Sequence, residues 1–222
     1  MTNTTIPRAA FDLSLYLVLD PGMCGGGVAD MVRVTEAAIN GGVTVVQLRA
    51  LGWRKRAFWD AACALQPLCR SRRVPLIIND HVDVALAVDA DGVHVGQQDL
   101  PAKEVRRLLG DTKIVGVSVS NAQQWRDADN GAADYIGVGP VQLTATKPEA
   151  GPALGVDGLR ALLAAMKSPT STLRTVAIGS VNVNNARAVM GTGVDGIAVV
   201  SAICASKAPE EAARALCEVI GS

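Results

Sequence analysis

Eight short runs of Val, Ile and Leu punctuate the chain: LYLVLD from Leu15, VTVVQLR from Val43, VPLIIND from Val74, DGVHVG from Asp91, TKIVGVS from Thr112, ADYIGVG from Ala133, RTVAIGS from Arg174 and DGIAVVS from Asp195. Their apolar character is nearly continuous and does not alternate. This is the pattern of parallel strands buried on both faces. Between the runs, apolar residues fall at helical spacing, as in VADMVRVTEAAINGG, FWDAACALQPLCRSRR, PAKEVRRLLGD and PEEAARALCEVI. Glycines at 41, 110, 131 and 191 follow such segments, where left-handed helix caps are expected. Strand and helix alternate throughout. The pattern predicts an α/β fold, a single-domain TIM (β/α)8 barrel over residues 1–222 with an N-terminal extension over 1–13; an open doubly wound sheet is the alternative.

A barrel gathers its chemistry where the strands end. Those ends read Asp20, Gln47 with Arg49, Asn79 with Asp80, His94 with Gln97, Ser118, Gly139, Gly179 with Ser180, and Ser201. Polarity is therefore confined to one rim. The segments IGS and VVSAI end the seventh and eighth runs, where barrels commonly hold a phosphate on backbone N–H groups. Ordinary turns, with Ser201 as a helix cap, are the competing account. Asp80 and Asp99 are carboxylates at neighbouring strand ends and suit a shared Mg²⁺, whose other positions would go to water and phosphate oxygens. Each is also placed to cap a following helix. Arg49 offers a planar fork for phosphate oxygens or a rim ion pair. His94 reads as interior packing, with a ligand or acid–base role as the alternative. The stretch GPVQLTATK puts Thr144, Thr146 and Lys147 in a long loop that runs to about Val156.

Composition narrows the function. Lysine plus arginine equal aspartate plus glutamate at 21 each, so no net field gathers nucleic acid or an anionic membrane. Five scattered cysteines without a CxxC pair, beside two histidines, argue against structural zinc and a disulfide scaffold and suit a reducing cytoplasm. No apolar run approaches the roughly 18 residues of a membrane span. The sequence contains no GxSxG elbow, dinucleotide fingerprint or Walker A loop, and no lysine ends an interior strand as a Schiff-base aldolase requires. Small-molecule chemistry on phosphorylated ligands is what remains; a homo-oligomer is left open.

Taken in order, QLR, IND, DGVHVGQQD, GVS, ADYIGVGPV with TATK, and DGIAVVSAI resemble the thiamine phosphate synthase family, also called thiamine-phosphate pyrophosphorylases, from about Leu15 to Ile220. The resemblance implies a TIM barrel and a transferase that joins hydroxymethylpyrimidine diphosphate to thiazole phosphate, releasing pyrophosphate. It also implies that Gln47, Arg49, Asn79, Ser118 and Lys147 bind the pyrimidine diphosphate, with Arg49, Ser118 and Lys147 acting in catalysis. Asp80 and Asp99 would hold Mg²⁺. Thr144, Ala145, Thr146, Gly179, Ser180, Val200 and Ser201 would bind the thiazole phosphate.

The chain departs from the family pattern in three places. Ala50 and Leu51 follow QLR where an acidic residue and a lysine are usual, with Arg54, Lys55 and Arg56 slightly later. Ser180 replaces the second glycine of a pair, and Gln142 and Leu143 replace an aromatic and a proline. Related barrels isomerise a thiazole precursor and carry a catalytic histidine two residues after the serine of GVS. That position is Ser120 here. Thiazole isomerisation, and non-catalytic binding of thiamine precursors, are the alternative readings.

Overall fold

In the computed structural model, which describes residues 11–128, 132–143, 152–166 and 173–221, each of the eight runs becomes one strand. The order is β1 (Leu15–Leu19), α1 (Pro21–Cys24), α2 (Val28–Asn40), β2 (Val45–Leu48), α3 (Lys55–Arg72), β3 (Leu76–Asn79), α4 (Val82–Ala87), β4 (Gly92–Val95) and α5 (Ala102–Leu109). It continues β5 (Ile114–Val119), α6 (Ala122–Ala128), β6 (Tyr135–Val138), α7 (Gly155–Met166), β7 (Arg174–Ile178), α8 (Ala186–Met190), β8 (Gly196–Val199), α9 (Ser201–Cys204) and α10 (Pro209–Ile220). All neighbouring strands are parallel. Pairing of Leu15 with Ile197 joins β8 to β1 and closes the barrel.

Continuous apolarity follows from double burial. Leu15, Leu17 and Leu19 have no exposure, while Tyr16 and Val18 of the same strand line the central cavity. Each leucine so buried is worth about 1.5–3 kcal/mol. Outside, α10 packs on α2 at so short a distance that a Cβ on Gly41 would stand 2.3 Å from the Glu210 carbonyl oxygen. Close approach, not a left-handed cap, thus requires that glycine. Gly41 is right-handed at φ −80°, and the next residue, Gly42, carries the positive φ of 108°. Gly191 is right-handed too; Gly110 has a positive φ of 72°, and Gly131 lies outside the described residues.

The bottom of the barrel repeats one bond. A side chain just before each even-numbered strand accepts the N–H near the start of the preceding odd-numbered strand. The four are Thr44 Oγ1 from Leu15 (3.1 Å), Asp91 Oδ2 from Leu76 (2.9 Å), Asp134 Oδ2 from Val115 (2.8 Å) and Asp195 Oδ2 from Thr175 (2.7 Å). Backbone N–H groups return the bond at 2.8–3.0 Å, as Asp134 does to the Val115 carbonyl. Burial pushes the Asp91 carboxyl above its ordinary range, with the Leu76 N–H opposing that rise. Residues 11–13, expected in an extension, help close this end. Phe11 and Leu13 are buried, and the Arg174 guanidinium lies 3.9 Å over the Phe11 ring.

Candidate active site

The opposite end of the barrel opens into a cavity of about 560 Å³, and every strand end except the first contributes to it. Asp20 is the exception. It caps α1, accepting the Gly22 N–H at 2.9 Å.

On the β2 side, Gln47 and Arg49 line the cavity at 4% and 7% exposure, so a guanidinium and an amide face it from nearly dry positions. Leu51 stands at the mouth, half exposed. The basic residues that follow are occupied elsewhere. Lys55 bonds both oxygens of Asp83 at 2.8 and 3.0 Å, and Arg56 bonds Asp60 while covering the Trp59 ring.

Asn79 and Asp80 follow on β3. Asp80 adopts a φ of 60° and donates its N–H to the His94 carbonyl at 2.9 Å. A non-glycine residue held there stores of order 1 kcal/mol, a cost that recurs at functional rims. Asp99 sits in the turn after β4, its Oδ2 accepting the Gly96 N–H at 2.8 Å. Neither carboxylate caps a helix, because α4 begins after His81 and α5 after Pro101, without side-chain cap bonds. Ser201 likewise is the first residue of α9 and not its cap. With capping removed, Asp80 and Asp99 are two carboxylates on the wall of one cavity.

Ser118 projects from β5, bonded at Oγ to His94 Nε2 (2.9 Å), while its carbonyl accepts from Gln97 (2.6 Å). His94 is 8% exposed, so the interior position expected for it holds, yet it is more than packing. Its Nδ1 meets Tyr135 Oη at 3.0 Å, Tyr135 meets Tyr16 Oη at 2.7 Å, and Gln47 Nε2 donates to Tyr16 Oη at 2.8 Å. A polar chain therefore crosses the barrel interior. Glycines make room for it: a Cβ on Gly116 would lie 2.2 Å from the Tyr135 ring, and one on Gly137 3.2 Å from the His94 ring. Both phenols are protonated at neutral pH, and burial pushes them further above their ordinary range. Sequence reading missed Tyr16 and Tyr135. The available signal was two phenols inside otherwise apolar strand runs, since a buried tyrosine usually finds a partner for its hydroxyl.

The remaining ends form the other half of the rim. Gly179, at φ 114°, lies so close to Val141 that a Cβ would stand 2.7 Å from its backbone nitrogen. Ser180 adopts a φ of 52° and spends its hydroxyl on the Leu143 carbonyl at 2.7 Å, while its own carbonyl accepts from Asn182 and Asn185. Val200 and Ser201 complete this side. Thr144, Ala145, Thr146 and Lys147 lie outside the described residues. The feet of their loop are fixed: Val141 N–H and Gln142 N–H bond Ile178 and Gly179, and the returning Leu154 and Gly155 bond Pro140 and Val141. The structure thus brings Gln47, Arg49, Asn79, Asp80, Asp99 and Ser118 into the same cavity as Gly179, Ser180, Val200 and Ser201.

Comparison with known proteins converges on one group. The family described as thiamine monophosphate synthase matches residues 15–203. A thiamine-phosphate synthase from Laribacter hongkongensis is 53% identical over 94% of this chain and 96% of its own length. One from Chloroflexus aurantiacus is 49% identical over 92% and 91%. Among solved structures, the thiamine phosphate pyrophosphorylase from Pyrococcus furiosus superposes with a TM-score of 0.82 at 33% identity, covering 94% of this chain and 96% of that one. A 3-hexulose-6-phosphate synthase from Salmonella typhimurium, at 16% identity and TM-score 0.71, shares the barrel alone.

Proposed function

The chain belongs to the thiamine monophosphate synthase family, and from that premise we propose how its upper rim carries the family's reaction. The enzyme is a transferase. It condenses hydroxymethylpyrimidine diphosphate with thiazole phosphate to give thiamine phosphate and pyrophosphate.

We assign the two halves of the cavity to the two substrates. Gln47, Arg49, Asn79 and Ser118, joined by Lys147 from the loop, take the pyrimidine diphosphate. Gly179, Ser180, Val200 and Ser201, with Thr144, Ala145 and Thr146, take the thiazole phosphate. The observation that supports this reading is the convergence of the described members of both sets, Gln47, Arg49, Asn79 and Ser118 with Gly179, Ser180, Val200 and Ser201, on a single cavity whose wall also carries Asp80 and Asp99.

Asp80 and Asp99 fit Mg²⁺. Their donors are oxygens only, on the wall of one cavity, which suits a hard cation whose other positions go to water and phosphate oxygens. Bound there, the ion would neutralise diphosphate charge. Arg49 and Lys147 do the same from the protein side as the carbon–oxygen bond breaks and the diphosphate departs with its electron pair. A pyrimidine methylene cation remains. The thiazole nitrogen, held close through its own phosphate, donates its lone pair to that carbon. This nitrogen carries no proton, so no general base is required.

Ser120 argues against thiazole isomerisation. It stands where the isomerases keep their histidine, and both its N–H and its hydroxyl bond Gln124 Oε1, at 2.8 and 2.9 Å. The deciding experiment supplies purified protein with Mg²⁺ and both precursors. Thiamine phosphate and pyrophosphate should form in equal amounts. Isomerisation of the thiazole carboxylate phosphate without pyrophosphate would reject the assignment.

We infer further that the enzyme works as a soluble cytoplasmic protein. No helix among the described residues is long and apolar enough to cross a membrane. The five cysteines are free, as suits a reducing compartment.

A further inference from the structure

The chain Gln47, Tyr16, Tyr135, His94, Ser118 has a direction, and that direction follows from counting protons. Gln47 Nε2 can only donate, so Tyr16 Oη accepts from it. The single Tyr16 proton then goes to its other neighbour, Tyr135, 2.7 Å away. Tyr135, having accepted, sends its own proton to His94 Nδ1. Nδ1 is thereby an acceptor, which makes the ring neutral with its proton on Nε2. That proton goes to Ser118 Oγ. The Ser118 hydroxyl has accepted a bond from behind, and its own proton is left to point into the cavity.

We propose that Tyr16, Tyr135 and His94 are positioning residues that preset Ser118 as a hydrogen-bond donor to the pyrimidine diphosphate. A free serine hydroxyl rotates among donor and acceptor roles; this one is committed before substrate arrives. The commitment suits a site in which negative charge grows on a leaving group, because a pre-aimed donor reorganises nothing as the bond breaks. The proposal rests on reading this cavity as the diphosphate site. Its tautomer does not.

The test has two arms. In ¹⁵N-histidine-labelled protein at neutral pH, His94 should carry its proton on Nε2, and His94→Gln assigns its signals because His81 is the other histidine. Tyr135→Phe, which keeps the packing and removes one oxygen, should release a measurable Nδ1–H population. In steady-state assays with Mg²⁺ and both substrates, losses should grade along the chain. His94→Leu should lower kcat/KM for the pyrimidine diphosphate about 30-fold, Tyr135→Phe about fivefold and Tyr16→Phe about twofold, with KM for thiazole phosphate unmoved. His94→Gln, whose amide N–H can stand near the Nε2 position, should recover to within about fivefold of the starting enzyme.

An Nδ1–H tautomer in the unsubstituted protein overturns the relay while leaving the synthase reading intact. Equal losses in His94→Leu and His94→Gln overturn it as well, since a merely space-filling imidazole would behave so. Failure of the unsubstituted protein to release pyrophosphate would overturn the proposed donor role and the synthase reading together. The tautomer would still report whether the relay exists.

Discussion

The two ends of the barrel are built on opposite plans. At the bottom, Thr44, Asp91, Asp134 and Asp195 make the same bond in the same relation to their strands. At the top, the seven contributing strand ends repeat no such bond: Gln47, His94 and Ser118 join one relay, Asp80 takes a strained backbone, and Ser180 ties down a neighbouring loop. Repetition is what a stability requirement produces, because every strand must be held alike. Diversity is what two dissimilar ligands require. The comparison predicts that damage below is read in unfolding and damage above in turnover.

The largest effect should come from the bottom. Asp134 and Arg106 form a nearly buried ion pair at 2.6 Å, their side chains 7% and 12% exposed, and Arg106 also bonds the carbonyls of Gly110, Lys113 and Ala132. Asp134→Ala leaves that guanidinium uncompensated. Urea unfolding should show a loss of about 3–5 kcal/mol, with kcat/KM per folded molecule unchanged. A large fall in kcat/KM at unchanged stability would dissolve the division.

Next comes its mirror at the top. Leu51 occupies the place of an expected lysine, and Lys55 and Arg56 are already engaged with Asp83 and Asp60. Lys147→Ala should therefore cost about 2–5 kcal/mol in kcat/KM while leaving the urea midpoint in place. Less than a tenfold loss would mean that Arg54 or its neighbours supply the charge. Conversely, Leu51→Lys should tighten binding of the pyrimidine diphosphate.

Thr44→Val returns to the lower end, deleting the hydroxyl that accepts the Leu15 N–H at 3.1 Å and donates to the Leu15 carbonyl at 3.0 Å while keeping shape. It should remove about 1 kcal/mol of stability and no activity. Ser180→Gly should move least. It relieves a φ of 52° but surrenders the hydroxyl bond to Leu143. These offset to within about 0.5 kcal/mol, so the variant isolates any effect on KM for thiazole phosphate.

Much of the barrel was legible in the chain because double burial writes itself as unbroken apolar runs, and all eight strands fall within them apart from the last residue of β5, Val119. Helix ends were less legible. Gly41 and Gly42 are adjacent and serve different purposes, one close packing and one a positive φ, and a sequence records only that both are glycine. The rim residues could be listed from strand ends, since polarity interrupting an apolar run is a local signal. The relay behind Ser118 could not. Its members are separated by 31, 119, 41 and 24 residues, and only closure of the barrel brings them into contact. Asp20 illustrates the converse error: it has the right position and polarity, but its side chain turns away to cap α1.

The four lower bonds also have a kinetic meaning. Each joins an odd strand to the even strand that follows, closing loops of only 29, 15, 19 and 20 residues, whereas the seam between β8 and β1 waits for the whole chain. Loops that short close at modest entropic cost. The barrel is thus divisible into four two-strand modules that can organise early and locally, with the ring sealed last. A chain reopened between modules keeps every local latch, and one reopened within a module turns a local latch into its longest closure.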